Sequence, residues 1–201
     1  MGTTPTWNLP YPAATDYVKD GYQNIQDLAE ATDTALSDTV ALSGLQLVKT
    51  QTIGTAVSSV TVTDTFNSSY VNYRIILTGG TASAQTSIRL QLSGITSGYY
   101  SSTLYRIFTG TTGGADLANQ ANAYFGYASA TGLSGSMDIR NPNVAGAKSF
   151  NGYSVEMATN GSTIFTGGYN ASTTQSTDLI LSVTTGNMTG GTIYVYGYRN
   201  S

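Results

Sequence analysis

At Gly44 the hydrophobic period of this 201-residue chain changes, and that change constrains its fold more than any other feature. Before it, apolar residues recur at three- and four-residue spacing; after it they recur at every second position. The first period is one face of a helix, the second one face of a strand.

Beyond Leu45 the alternation is clean. Val60 and Val62 alternate with threonines; Tyr73, Ile75 and Leu77 share a face, as do Ile88, Leu90 and Leu92. Leu179, Leu181 and Val183 repeat the pattern, and the last run sets Ile193, Val195 and Gly197 against Tyr194, Tyr196 and Tyr198. Tyr153, Val155 and Met157 read as a further inward face, which points Glu156 outward as a solvated strand residue. Antiparallel sheets with one buried face carry this signature. Turn signals separate the runs at Gly79-Gly80, Ser93-Gly94, Asn141-Pro142, Asn160-Gly161 and Gly190-Gly191, of which Asn160-Gly161 is the strongest hairpin signal. Residues 45–201 are therefore expected to be a two-sheet antiparallel β-sandwich of jelly-roll type. The stretch from Gly110 to Gly135 lacks clear alternation and reads as a long loop carrying Tyr124 and Tyr127.

Residues 15–44 read as one helix. Thr15 or Asp16 can cap it, Asp20-Gly21 offers a second start, and Gly44 is a natural stop. Ile25, Leu28, Thr32 and Ala35 follow the seam spacing of a coiled coil, while Ala29 and Leu36 widen the stripe. A helix of about twenty residues with threonine in its seam is marginal alone. It needs either the β-domain of its own chain or copies of itself, and small residues on two flanks suit three helices around an axis. Ahead of it, residues 1–14 hold Pro5, Pro10 and Pro12 interleaved with Trp7, Leu9 and Tyr11. Proline fixes φ and extends its predecessor, so this arm is not helical. It either docks in a groove of another subunit, with Trp7 as anchor, or folds back on its own helix.

Composition removes whole classes of function. There is no histidine and no cysteine, and only 9% of residues are charged. Six acids against one lysine precede Gly44; five acids against seven basic residues follow it, with no basic cluster suited to nucleic acid. Neither disulfides nor thiolate metal sites are open to the chain, and no apolar run is long enough to insert in a membrane or act as a signal peptide. Acid–base catalysis most often uses histidine. The carboxylates of the β-region, Asp64, Asp116, Asp138, Glu156 and Asp178, are too scattered to read as a catalytic pair or a calcium loop. The expectation is no catalytic residue, no metal and no cofactor.

The opening TWNLPYPAATDYVKDGYQNIQDLAEATDTAL resembles the N-terminal segment of tailed-bacteriophage virion proteins, minor tail and tail-fibre proteins in particular. Trp7, Leu9, Pro10, Tyr11 and Pro12 match the family's arm, and Leu28, Ala29, Glu30 and Ala31 its helix. The FNSSYVNY, LQLSG and YVYGYRN runs are similar to its β-sandwich heads. The resemblance implies a homotrimer located in the virion, attached through the arm to another virion protein of tail, baseplate, collar or capsid, with the head facing outward. Two roles follow: a fibre or receptor-binding protein that touches the host, or a structural or decorating component with no receptor role. Fifteen tyrosines are the candidates for contact with a neutral glycan of the host envelope. Tyr99 and Tyr100, placed in an inter-strand loop after Gly98, and Tyr124 and Tyr127 in the long loop are the expected contact residues. The alternative is that these side chains pack against a neighbouring subunit.

Overall fold

The computed structural model of the protein describes residues 2–4, 9–11, 17, 21–41 and 44–199. It is mainly β, with a single helix among the described residues, and it divides into two compact units, 1–44 and 45–201.

In the first unit, β1 (Gly2–Thr3) pairs antiparallel with β2 (Pro10–Tyr11), and Thr4 closes the ribbon through both its amide and its hydroxyl to Leu9. Helix α1 spans Gly21–Ala41; the candidate caps Thr15, Asp16 and Asp20 lie outside the described residues. Gln23–Asp27 and Gln26–Glu30 side-chain bonds, four residues apart, support its exposed face. β2 lies against this helix.

The second unit contains β3 (Leu45–Thr52), β4 (Ser59–Val62), β5 (Tyr70–Thr78), β6 (Thr81–Ala82), β7 (Thr86–Leu92), β8 (Tyr99–Ile107) and β9 (Thr112–Gln120). It continues with β10 (Ala123–Ser129), β11 (Gly132–Arg140), β12 (Lys148–Val155), β13 (Ser162–Asn170), β14 (Leu179–Val183), β15 (Met188–Thr189) and β16 (Thr192–Arg199). Every pairing is antiparallel. The larger set runs β3-β16-β5-β11-β12-β13-β8-β9 and the smaller β4-β14-β7-β10, the two meeting at the tight β10–β11 hairpin. Short β6 and β15 pair separately.

One core serves both sets. Tyr73, Ile75 and Leu77 of β5, Met137 and Ile139 of β11 and Ile193 and Val195 of β16 meet Ile88, Leu90 and Leu92 of β7 and Leu179 and Leu181 of β14, all buried. These are the faces that the period-two pattern assigns inward. The strand β10 lies closest. A Cβ at Gly126 would collide with the Ser154 side chain, and one at Gly135 with the Phe125 ring, so glycine is required where β10 crosses β11 and β12. Two diglycine turns, Gly79-Gly80 and Gly190-Gly191, pack back to back with all four residues at positive φ, leaving no room for a Cβ at Gly80 or Gly191.

Two expectations are corrected. The segment 110–135 is not a long loop; it folds as β9, β10 and the start of β11. Its glycines and alanines, which blur the sequence pattern, are the small residues that close sheet packing demands. The strand β12 also points the other way. Lys148, Phe150, Gly152 and Ser154 face the core, while Tyr153 is 58% exposed. Counting apolar residues selects Tyr153 and Val155 for the interior, but β10 passes too close to admit them. Glu156 follows the same phase and is buried, not solvated. The Asn160-Gly161 hairpin does form, with the connection running over 156–161.

Buried polar groups are anchored individually. The Lys148 ammonium donates to the carbonyls of Val144, Gly146 and Ser172 at 2.7–2.9 Å, tying two loops to the start of β12. The Tyr73 hydroxyl donates to the Asn67 carbonyl and accepts from its amide. Tyr99 is fully buried, its hydroxyl accepts the Leu92 amide at 2.8 Å, and burial pushes that hydroxyl up to about 12.

Tyr99→Phe leaves the Leu92 amide without this acceptor, a loss of about 1–3 kcal/mol. The thermal midpoint should fall by about 2–4 °C for each kcal/mol. Because the folded Tyr99 keeps its proton to higher pH than the unfolded one, its contribution is complete below about pH 10 and disappears as pH rises through 12. Unfolding midpoints measured from pH 8 to 12 should therefore decline more steeply for the wild type than for Tyr99→Phe.

Candidate functional site

A cleft of about 390 Å³ opens where the start of β7, the end of β8, β10 and the β12–β13 turn converge. Its volume falls within the range of small-ligand sites, about 300–1,000 Å³. Glu156 sits in it, only 4% exposed. The Glu156 amide donates to the Ser162 carbonyl, which closes the turn, and Gly161 packs so tightly on the Glu156 carbonyl that no Cβ fits there. Ser129 fastens the same turn from β10 by donating its hydroxyl to the Met157 carbonyl. The carboxylate is thereby fixed by backbone on both sides.

Two side chains donate to it: Gln85 Nε2 at 2.6 Å and Ser162 Oγ at 3.1 Å. Gln85 immediately precedes β7 in the smaller set and Ser162 opens β13 in the larger, so Glu156 joins the two. One wall is a ladder of hydroxyls, Thr184 Oγ1 lying 3.1 Å from both Thr86 Oγ1 and Ser87 Oγ. Another is aromatic: Tyr105 and Tyr127 meet edge to face with centroids 6.5 Å apart. The Tyr105 ring lies directly over Gly113 of β9, its cross-strand neighbour, where a Cβ would strike the ring. Burial raises the Tyr127 hydroxyl, opposed by a bond to Thr103. Glu156 is the single carboxylate of the lining, and no cationic side chain accompanies it.

Arg89 lies beyond this wall. Its guanidinium stacks on Tyr124 at 3.9 Å from the ring centroid and its Nε donates to Ser87, while its buried Nη1 has no hydrogen-bond partner. The ring face compensates part of the charge. Tyr124 in turn stacks on Tyr127 with centroids 6.2 Å apart.

The four expected contact tyrosines separate in space. Tyr99 belongs to the core, and Tyr124 is buried under Arg89, so neither stands on a loop. Tyr127 lines the cleft. Tyr100 is the exposed one, stacked on Tyr169 at 5.2 Å on the opposite face of the large set. That outer face also carries a row in register across three strands, Tyr153 to Phe165 to Leu104, each about 60% exposed. Beside it Arg74 holds Asp138 with two bonds of 2.8 and 2.9 Å, and Tyr198 donates a third. Burial alone would raise the Asp138 carboxyl, but these donors and Arg140 nearby outweigh it and hold it below its ordinary value. The cleft is not legible in the sequence because its residues come from several strands far apart in the chain; the one local signal is glycine and serine at 152 and 154, which reverse the phase of β12.

Of the helix residues, Ile25 and Leu36 are 68% and 62% exposed, Ala29 is exposed, and Leu28, Thr32 and Ala35 are half-buried. In the arm, Leu9 and Pro10 are half-buried and Tyr11 is exposed; Trp7 and Pro12 lie outside the described residues. Among the described residues no group of three potential metal ligands comes together, and no helix is long and apolar enough to cross a membrane.

Asp138→Asn removes the charge from the Arg74 bonds at a partly exposed site and should cost about 0.2–1 kcal/mol. Since the folded pKa is depressed, that stability is present above the ordinary value of 3.8 and is lost as pH falls below it. Thermal midpoints measured between pH 6 and 3 should drop more for the wild type than for the variant.

No protein-family model, curated protein or solved structure matches this chain.

Proposed function

We propose that the chain is a non-enzymatic structural protein of a bacteriophage virion, of tail-fibre or receptor-binding type. Its N-terminal arm attaches to another virion protein, and its jelly-roll-like head is presented for binding to the host surface. The observation that carries this reading is the division of the chain into an arm-and-helix unit, whose TWNLPYP run resembles the arm of virion proteins, and a β-head that holds a formed polar cleft. The cleft supports binding without hydrolysis, because glycoside cleavage by the usual route needs two carboxyl groups and the lining offers one. The homotrimer of this reading is supported by the helix, on which Ile25 and Leu36 are largely exposed. Burying two such side chains per copy against neighbours favours association by about 1.5–3 kcal/mol each.

A second reading, a structural or decorating component with no receptor role, is favoured by the outer row of Tyr153, Phe165 and Leu104. Contiguous exposed apolar groups of this kind mark contacts with other proteins. The readings differ in whether the isolated head adheres to host cells.

Light scattering of the purified chain at micromolar concentration should give three times the 21.0 kDa chain mass. Ile25→Ser with Leu36→Ser should reduce this to one, without changing the head's thermal midpoint. Removing residues 1–14 should abolish incorporation into particles and leave that midpoint within about 1 °C. A monomeric wild type would refute the trimer, and normal incorporation of the shortened chain would refute attachment through the arm.

A further inference from the structure

We propose that the cleft holding Glu156 binds one pyranose ring of an uncharged carbohydrate, with Glu156 accepting from its hydroxyls and Tyr105 and Tyr127 forming the apolar walls. This gives the surface-binding reading a place and a ligand class, and it rests on that reading for its biological setting alone.

The argument starts from the carboxylate. Such a group has roughly four acceptor positions. Gln85 and Ser162 fill two of them. No lysine or arginine lines the cleft to neutralise it. Burying a carboxylate without a cation is costly, and the cost is offset only by further donors. Sugar hydroxyls are such donors, and two adjacent ones match the spacing of the two carboxylate oxygens. The opposite wall is of the same kind. Thr86, Ser87 and Thr184 are hydroxyls that both donate and accept, which suits a ligand whose groups do likewise.

The rings supply the other half. A pyranose has one polar rim and apolar C–H faces, and tyrosine provides a flat apolar surface with a polar end. The Tyr105 ring lies against the bare backbone of Gly113 and meets Tyr127 edge to face, and Tyr127 in turn stacks on Tyr124. The wall is therefore set before a ligand arrives, which lowers the ordering cost of binding.

Charge discriminates among carbohydrates. An acidic sugar or a phosphate would face Glu156 with no cation in the lining. An organic cation would find one carboxylate and two rings, but hydroxyls and amides make up most of the remaining lining. Neutral polar side chains dominate the lining, so the uncharged ring is the better match.

The test is saturation-transfer NMR on the full chain with glucose, galactose, mannose and N-acetylglucosamine, and with glucuronic acid and glucosamine as charged comparisons. At least one neutral sugar should receive magnetisation, and glucuronic acid none. Glu156→Gln should weaken binding tenfold or more. Asn160→Ala alters the exposed rim of the cleft, so it should weaken binding severalfold with an unchanged thermal midpoint, which keeps the test decisive if Glu156→Gln folds poorly. Absence of transfer to every neutral sugar would overturn the proposal. So would binding that both variants leave intact, or a preference for glucosamine alone. Retention of the chain on host cells separates this site from the wider reading. Cells that hold both variants as well as the wild type would leave surface binding standing and remove the cleft from it; cells that hold none of them, with sugar still bound, would do the reverse.

Discussion

The head depends on how closely β10 lies against the larger strand set. That approach is set by residues that contribute almost nothing to a hydropathy count: Gly126 against Ser154, and Gly135 beneath Phe125. With larger side chains there, the smaller set would stand away from the larger and the single core would open. With small ones, Phe125 and Ala128 enter the same core as Tyr73 and Ile139. Dense packing of this kind carries most of the favourable energy of a fold, and it transmits even a methyl group's worth of misfit.

The same contact produces the site. Because β10 excludes bulk from β12, that strand turns Gly152 and Ser154 inward and Tyr153 outward. Two residues on, the phase carries Glu156 into the cleft, where Gln85 and Ser162 meet it from the two strand sets. An outward Glu156 would be one more solvated carboxylate. Its inward position makes it the one charge among hydroxyls, amides and tyrosine rings. The outer face gains what the interior rejects: Tyr153 joins Phe165 and Leu104 in a row that leaves apolar surface for contact with another molecule. Packing, cleft and exposed row are three results of one steric constraint.

The two units also divide the physical tasks. Helix α1 exposes Ile25 and Leu36, whereas the head holds a closed core of its own. In the proposed virion setting, association through the helices would bring three clefts together, and linked weak sites bind with an effective concentration that single sites lack.

What the sequence alone determined is the class of each segment. The change of period at Gly44 placed the helix and the β-head, and the strong alternations of β5, β7, β14 and β16 named their core faces correctly, because there one face is plainly apolar and the other plainly polar. Glycine pairs and Asn160-Gly161 marked real turns, since positive φ and close approach leave few other residues usable. Only the tertiary structure decided the segments where small residues dominate. Strands β9 and β10 carry too little contrast to read, and β12 reads backwards, because the sequence records which side chains are apolar but not how near the neighbouring strand will come. For the same reason Tyr99, Tyr100, Tyr124 and Tyr127, alike in sequence, ended in the core, on the outer face, under an arginine and in the cleft. A tyrosine is compatible with all four places, and strand register and layer spacing, which arise from contacts distant in the chain, chose among them.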